Sequence, residues 1–135
     1  MAGVNSKVVC FDEDLLLKVC QIESQIMIYK IKANEDESEI LVADLIKSLT
    51  VYSFEDSKLQ VKSRYPNGQW CFDMTSISMK NQRNYYLSCD FDKNLLFFEN
   101  SQHALMDLSV SYHLREQVNS SLVFKLEDNN TTEET

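Results

Sequence analysis

Glycine and proline are scarce in this chain: 135 residues include 2 Gly and 1 Pro. So little of either excludes collagen-like repeats, low-complexity linkers and the Gly-rich loops that cradle phosphates. No uninterrupted apolar run approaches the roughly 18 residues of a membrane-spanning helix. Positive charge is in deficit, with 13 Lys and Arg against 21 Asp and Glu and a net charge of -8. That balance argues against affinity built on phosphate neutralisation. The start, Met1-Ala2-Gly3-Val4-Asn5-Ser6-Lys7, carries no basic stretch followed by an apolar one, so no secretory leader is expected. No P-loop, dinucleotide fingerprint, nucleophile elbow or His-Glu-x-x-His occurs.

What is present is a β pattern. Lys58 to Tyr65 alternates apolar and long polar residues, as a half-buried strand does. Tyr65-Pro66-Asn67-Gly68 reads as a tight hairpin turn, with Gln69 to Lys80 as the return strand. The apolar phase of that strand moves from Trp70, Phe72 and Met74 to Ile77 and Met79, which predicts a bulge near Thr75-Ser76. A polar turn follows at Lys80 to Asn84. Tyr85 to Phe91 is then a strand with Tyr85, Leu87, Cys89 and Phe91 facing in. Asp92-Lys93-Asn94 closes a short hairpin, with Asn94 suited to the left-handed conformation. Leu95 to Phe98 is apolar on both faces. Asp107 to Glu116 alternates, with Leu108, Val110, Tyr112 and Leu114 in, and Leu122 to Leu126 ends the fold.

The first half contains a strand at Lys7 to Phe11, a strand-or-helix segment over Asp14 to Ile22, read as strand, and a buried strand at Ser24 to Lys32. Leu41, Val42, Leu45, Ile46 and Leu49 form an apolar stripe at helical spacing, with acids before it and Lys47 in its last turn. The spacing predicts a helix over 38-49. The fold class is therefore mainly β, with α+β as the variant. It is an antiparallel meander, β-sandwich or open barrel of about eight to ten strands with one short amphipathic helix. Residues 1-126 form a single β-rich domain, and the wholly polar 127-135 a disordered acidic tail.

Chemistry-bearing residues are sparse. His103 and His113 stand ten residues apart, which is no metal-ligand spacing. The acidic runs Asp12-Glu13-Asp14 and Glu35-Asp36-Glu37 lack calcium-loop spacing. Cys10, Cys20, Cys71 and Cys89 lie among apolar neighbours and read as reduced core cysteines. No catalytic, metal or cofactor residue is assigned, and the chain is not expected to be an enzyme. Two surface features remain. Lys58, Lys62 and Arg64 make a basic stripe on one strand face, read as edge protection or a docking site. Tyr85-Tyr86 and Phe97-Phe98 are consecutive aromatics, so with a single core Tyr86 and one of Phe97 or Phe98 are exposed.

These residues imply a non-catalytic protein-protein interaction module. It would be a small subunit or adaptor of a larger intracellular complex, cytoplasmic or nuclear, binding through a sheet edge or an apolar sheet face. The expected partner-binding residues are Tyr86, Phe97, Phe98, Lys58, Lys62 and Arg64, in a hetero-complex with no membrane contact. The alternatives are weak nucleic-acid binding through strand 58-64 and a β-barrel holding a small apolar ligand.

Overall fold

The computed structural model describes residues 2-4, 7-14, 16-23, 25-78, 84-99 and 104-124. Among them are eleven strands in three antiparallel sheets and no helix. The first sheet holds β1 (Ala2–Val4), β2 (Lys7–Phe11) and β3 (Lys18–Ile22). The second holds β4 (Ile28–Ala33), β5 (Glu39–Asp44), β6 (Ser48–Glu55) and β7 (Lys58–Arg64). The third holds β8 (Cys71–Ser78), β9 (Asn84–Asp90), β10 (Asn94–Glu99) and β11 (Asp107–His113). Strand order within each sheet is sequence order, so each sheet is a simple meander. Four-stranded meanders of this kind are the units stacked in β-propellers. The sheets stay open and separate, so the fold is not a closed barrel around an apolar ligand.

The second sheet is the middle layer. Leu41, Ala43, Leu49 and Val51 meet Cys71, Met74, Tyr86, Leu96 and Phe98 of the third sheet. Ile40, Val42 and Tyr52 meet Val8 and Cys10 of the first. Every residue of β5 is therefore buried. This corrects the helix expected over 38-49. A strand covered on both faces has no polar alternation, and a second strand after a three-residue turn completes a false helical stripe. Asp44 makes that turn. Its Oδ1 accepts the N–H of Ile46 and Lys47, at 2.8 and 2.9 Å, and Ser48 follows with φ 66°.

The β6–β7 hairpin turns on Asp56 and Ser57, both at positive φ, with Glu55 opposite Lys58. This is a two-residue turn built without glycine. The Pro66-Asn67-Gly68 stretch does not make a hairpin: β7 and β8 belong to different sheets. Instead Tyr65 is drawn into the core against Phe98, with ring centroids 4.6 Å apart, and the chain passes on to the third sheet. Gly68 passes under the β5–β6 turn, where a Cβ would stand 2.9 Å from the Ile46 carbonyl oxygen. The bulge in β8 lies between Cys71 and Asp73, not at Thr75-Ser76. In the β9–β10 turn Lys93, not Asn94, takes the positive φ. Segment 104-106 adds a parallel bridge to Arg64, so β7 is partly covered at its edge. Residues 121-124 form no strand. The turn expected at 80-84 and the tail at 127-135 fall wholly or mostly outside the described residues.

Candidate protein-interaction surface

The alternation of a strand places its side chains; a bulge displaces them. In β7 the register steps from Val51–Ser63 to Tyr52–Val61, leaving Lys62 as the extra residue. Lys62 therefore leaves the expected stripe and pairs with Glu39, a carboxylate buried in β5. Tyr86 donates its hydroxyl to the other oxygen of Glu39 at 2.9 Å. Burial first, and then the Glu39 charge, hold the Tyr86 phenol protonated far above its usual range. Tyr86 and Phe98, expected at a binding face, are instead fully buried between the second and third sheets. The expectation of one covered face fails because Leu87 and Cys89, on the opposite face of β9, are buried as well. Phe97 is partly buried. Lys58 and Arg64 are exposed. The structure thus brings Lys62 and Tyr86 together on Glu39, sets Phe98 opposite Tyr86 in the same buried layer, and leaves Phe97, Lys58 and Arg64 apart from them.

Aromatic rings do reach the surface elsewhere. Tyr29 of β4 meets Phe72 of β8 edge-on, with centroids at 5.2 Å. Phe72 meets Phe91 at 5.7 Å, and Phe91 meets Trp70 at 5.3 Å. Tyr29, Trp70 and Phe91 are each more than half exposed, so the four rings form a continuous strip across two sheets. The strip is held from behind. The Phe91 N–H donates to the Trp70 carbonyl at 2.9 Å. Asp90 ties the turn after Phe91 through the N–H and side-chain amide of Asn94. A groove of about 250 Å³ beside it is lined by Gly68, Gln69, Trp70, Phe91 and Asp92. The Gln69 amide oxygen is buried without a hydrogen-bond partner among the described residues. Gly68 also borders a second groove of about 690 Å³ that includes Arg64 and Leu105.

Sequence reasoning placed Trp70, Phe72 and Phe91 inward. A signal against this was available: Trp70 and Phe91 lie beside turn residues, Asn67-Gly68 and Asp92-Lys93, where strand alternation has ended.

Behind the strip, Asp73 of β8 is fully buried. Its Oδ1 is paired with Lys30 at 2.7 Å and Lys32 at 2.9 Å, in ionic contact without hydrogen-bond alignment. Its Oδ2 accepts from Lys32 at 3.1 Å and from the N–H and hydroxyl of Ser121. Burial opposes this charge, but Lys30, Ser121 and Lys32 outweigh it and hold the carboxyl at about 2. Among the described residues no three His, Cys, Asp or Glu side chains are grouped to hold a metal. His113 contacts Asn94 at 3.1 Å, and among the described residues no helix is long and apolar enough to cross a membrane.

Against known proteins, the model described as the CPSF A subunit region matches residues 1–134. A curated relative, DNA damage-binding protein 1 of Schizosaccharomyces pombe (strain 972), is 28% identical over 108 residues. That match covers 79% of this chain and 10% of the relative, so the chain spans about a tenth of that protein's length.

Proposed function

The chain belongs to the CPSF A subunit region family, and we propose that it is a non-catalytic protein-interaction unit of a larger hetero-complex, gripping its partner through the Tyr29–Phe72–Phe91–Trp70 strip. The exposed aromatic strip carries this reading. Large aromatic side chains lose little conformational entropy on binding and dominate the energetics of protein interfaces. Here they sit on strand ends and hydrogen-bonded turns, so little ordering remains to be done when a partner docks. The fully exposed edge strand β11, with Val110 and Tyr112, offers a second route, by strand addition.

The name of the relative speaks of binding damaged DNA. Direct nucleic-acid binding by this segment is the weaker reading, because Glu39 neutralises Lys62 and the chain carries a net charge of -8.

The test is isolation of the native assembly by affinity purification, with light scattering and identification of the partners. A stoichiometric protein partner is expected, and the double variant Trp70→Ser, Phe91→Ser loses it while remaining folded. A protein that runs alone in native extract with no partner, or a variant that keeps the partner, refutes the reading.

A further inference from the structure

Of the four cysteines, two face each other. Cys10 on β2 and Cys20 on β3 are direct partners in the antiparallel register. Directly opposed residues in such a ladder have Cα atoms about 4.5–5.5 Å apart, inside the range disulfides require. Cys20 packs against the apolar cluster that holds Cys10. The register shifts immediately beyond this pair, leaving Val19 without an opposite, so the ladder has local give. Cys71 and Cys89, on neighbouring strands, do not oppose one another: Cys71 pairs with Asp90, and Cys89 with Asp73. All four are free thiols in this structure.

We propose that Cys10 and Cys20 are an oxidation site that closes reversibly into a cross-strand disulfide when the protein meets hydrogen peroxide. The half-buried Cys20 is the thiol the oxidant reaches, and Cys10, packed against Val8, Ile40 and Val42, is the resolving thiol. The Cys20 thiolate attacks one peroxide oxygen, the O–O bond breaks, hydroxide leaves, and Cys20 becomes a sulfenic acid. The Cys10 sulfur then attacks the Cys20 sulfur and the S–O bond breaks. The departing hydroxide and the Cys10 proton leave as water. In sum, two thiols and one peroxide give one disulfide and two waters, and a dithiol reductant reverses the reaction. Burial, helped by the neighbouring Cys20, pushes the Cys10 thiol up to about 11, which argues against Cys10 as the first to attack peroxide. The ring so formed encloses the β2–β3 hairpin tip, where Leu16 at φ 50° and Leu17 stand exposed. Oxidation would thus stiffen an apolar knob without touching the core of the second and third sheets.

The test uses the folded wild-type chain. It is treated with hydrogen peroxide, quenched, unfolded, alkylated and digested with trypsin. Lys18 lies between the two cysteines, so trypsin separates them unless a disulfide joins their peptides. The expected product is a linked Cys10–Cys20 peptide pair, two hydrogens lighter than the reduced sum and separable by dithiothreitol. Cys71 and Cys89 should remain alkylatable once the treated protein is unfolded. Four alkylatable thiols after treatment, over-oxidation of Cys20 without a link, or a link between any other pair overturns the proposal. The wild-type peptide map decides the matter alone. A Cys20→Ser variant, checked for folding by Trp70 emission, should leave Cys10 as a free thiol under the same treatment.

Discussion

Replacing Asp73 with Asn removes one negative charge from a site where two lysines converge. The side chain is fully buried, and Lys30 and Lys32 lie at 2.7 and 2.9 Å from its Oδ1. Breaking a buried pair by removing one partner costs 3–5 kcal/mol when the survivor stays buried. Both lysines keep more than a quarter of their surface, so the lower end applies, about 3 kcal/mol. The acid titration of the wild type bears on the same charge. The Asp73 carboxyl is held at about 2 against an ordinary 3.8. Because the folded value is depressed, the stabilisation is fully present above pH 3.8 and is lost as pH falls towards 2. That shift corresponds to about 2 kcal/mol at neutral pH. Urea unfolding followed by Trp70 fluorescence measures both, since Trp70 is the only tryptophan and rests on Phe91. Between pH 4 and pH 2 the wild type should lose this stability and Asp73→Asn should not lose it. Adding Lys30→Met to Asp73→Asn should recover about 1 kcal/mol by relieving the lysine pair. A neutral-pH loss below about 0.5 kcal/mol in Asp73→Asn, or an identical acid limb in both proteins, refutes the electrostatic account.

Leu41→Ala, at the centre of the middle sheet, should cost about 3 kcal/mol in the same urea assay, because β5 is held on both faces and cannot collapse into the cavity. Gly68→Ala should cost about 1–2 kcal/mol, since the new methyl meets the Ile46 carbonyl oxygen, a backbone atom that cannot swing away. Tyr86→Phe leaves one oxygen of buried Glu39 without its donor and should cost about 2 kcal/mol. The triple change Glu39→Leu, Lys62→Met, Tyr86→Phe removes the carboxylate with its cation and its phenol donor, leaving only the half-buried Asn84 amide of that set, and should match or exceed wild-type stability, while its amide NMR spectrum broadens as sheet placement loses specificity.

Much of the β architecture is legible in the sequence. β2 runs over the five residues that the pattern marks, and β7 and β9 fall within one residue of expectation, because each of these strands has clear polar–apolar boundaries. The hairpin of β5 and β6 is hidden by its own burial: six consecutive buried residues carry no alternation, and the helical stripe is an accident of turn length. The Pro66-Asn67-Gly68 signal correctly marks a change of direction but cannot say to which sheet the chain goes next. Tyr86 and Phe98 point to the limit of arguing faces from one strand alone, since exposure depends on what another sheet covers. The Lys62 bulge depends in turn on Glu39, which is remote in sequence. The aromatic strip is assembled from residues 29, 70, 72 and 91: pairing of β8 with β9 gathers the last three, and only stacking of the second sheet on the third adds Tyr29.

That stacking has a directional component. Apolar faces attract without specifying register, and meanders of similar length can slide by two residues and still bury apolar surface. A buried carboxylate cannot slide without losing its partners. Glu39 reaches from the second sheet to Tyr86 of the third, and Asp73 reaches from the third back to Lys30 and Lys32 of the second. The two contacts fix the same sheet pair from opposite sides. Phe72, adjacent to Asp73, touches Tyr29, adjacent to Lys30, so the ion pair lies directly behind the ring contact that crosses the seam. The proposed binding strip is thereby preorganised by a carboxylate buried behind it. A strip held this way should lose partner affinity in Asp73→Asn through faster dissociation, even though Asp73 makes no contact with the partner.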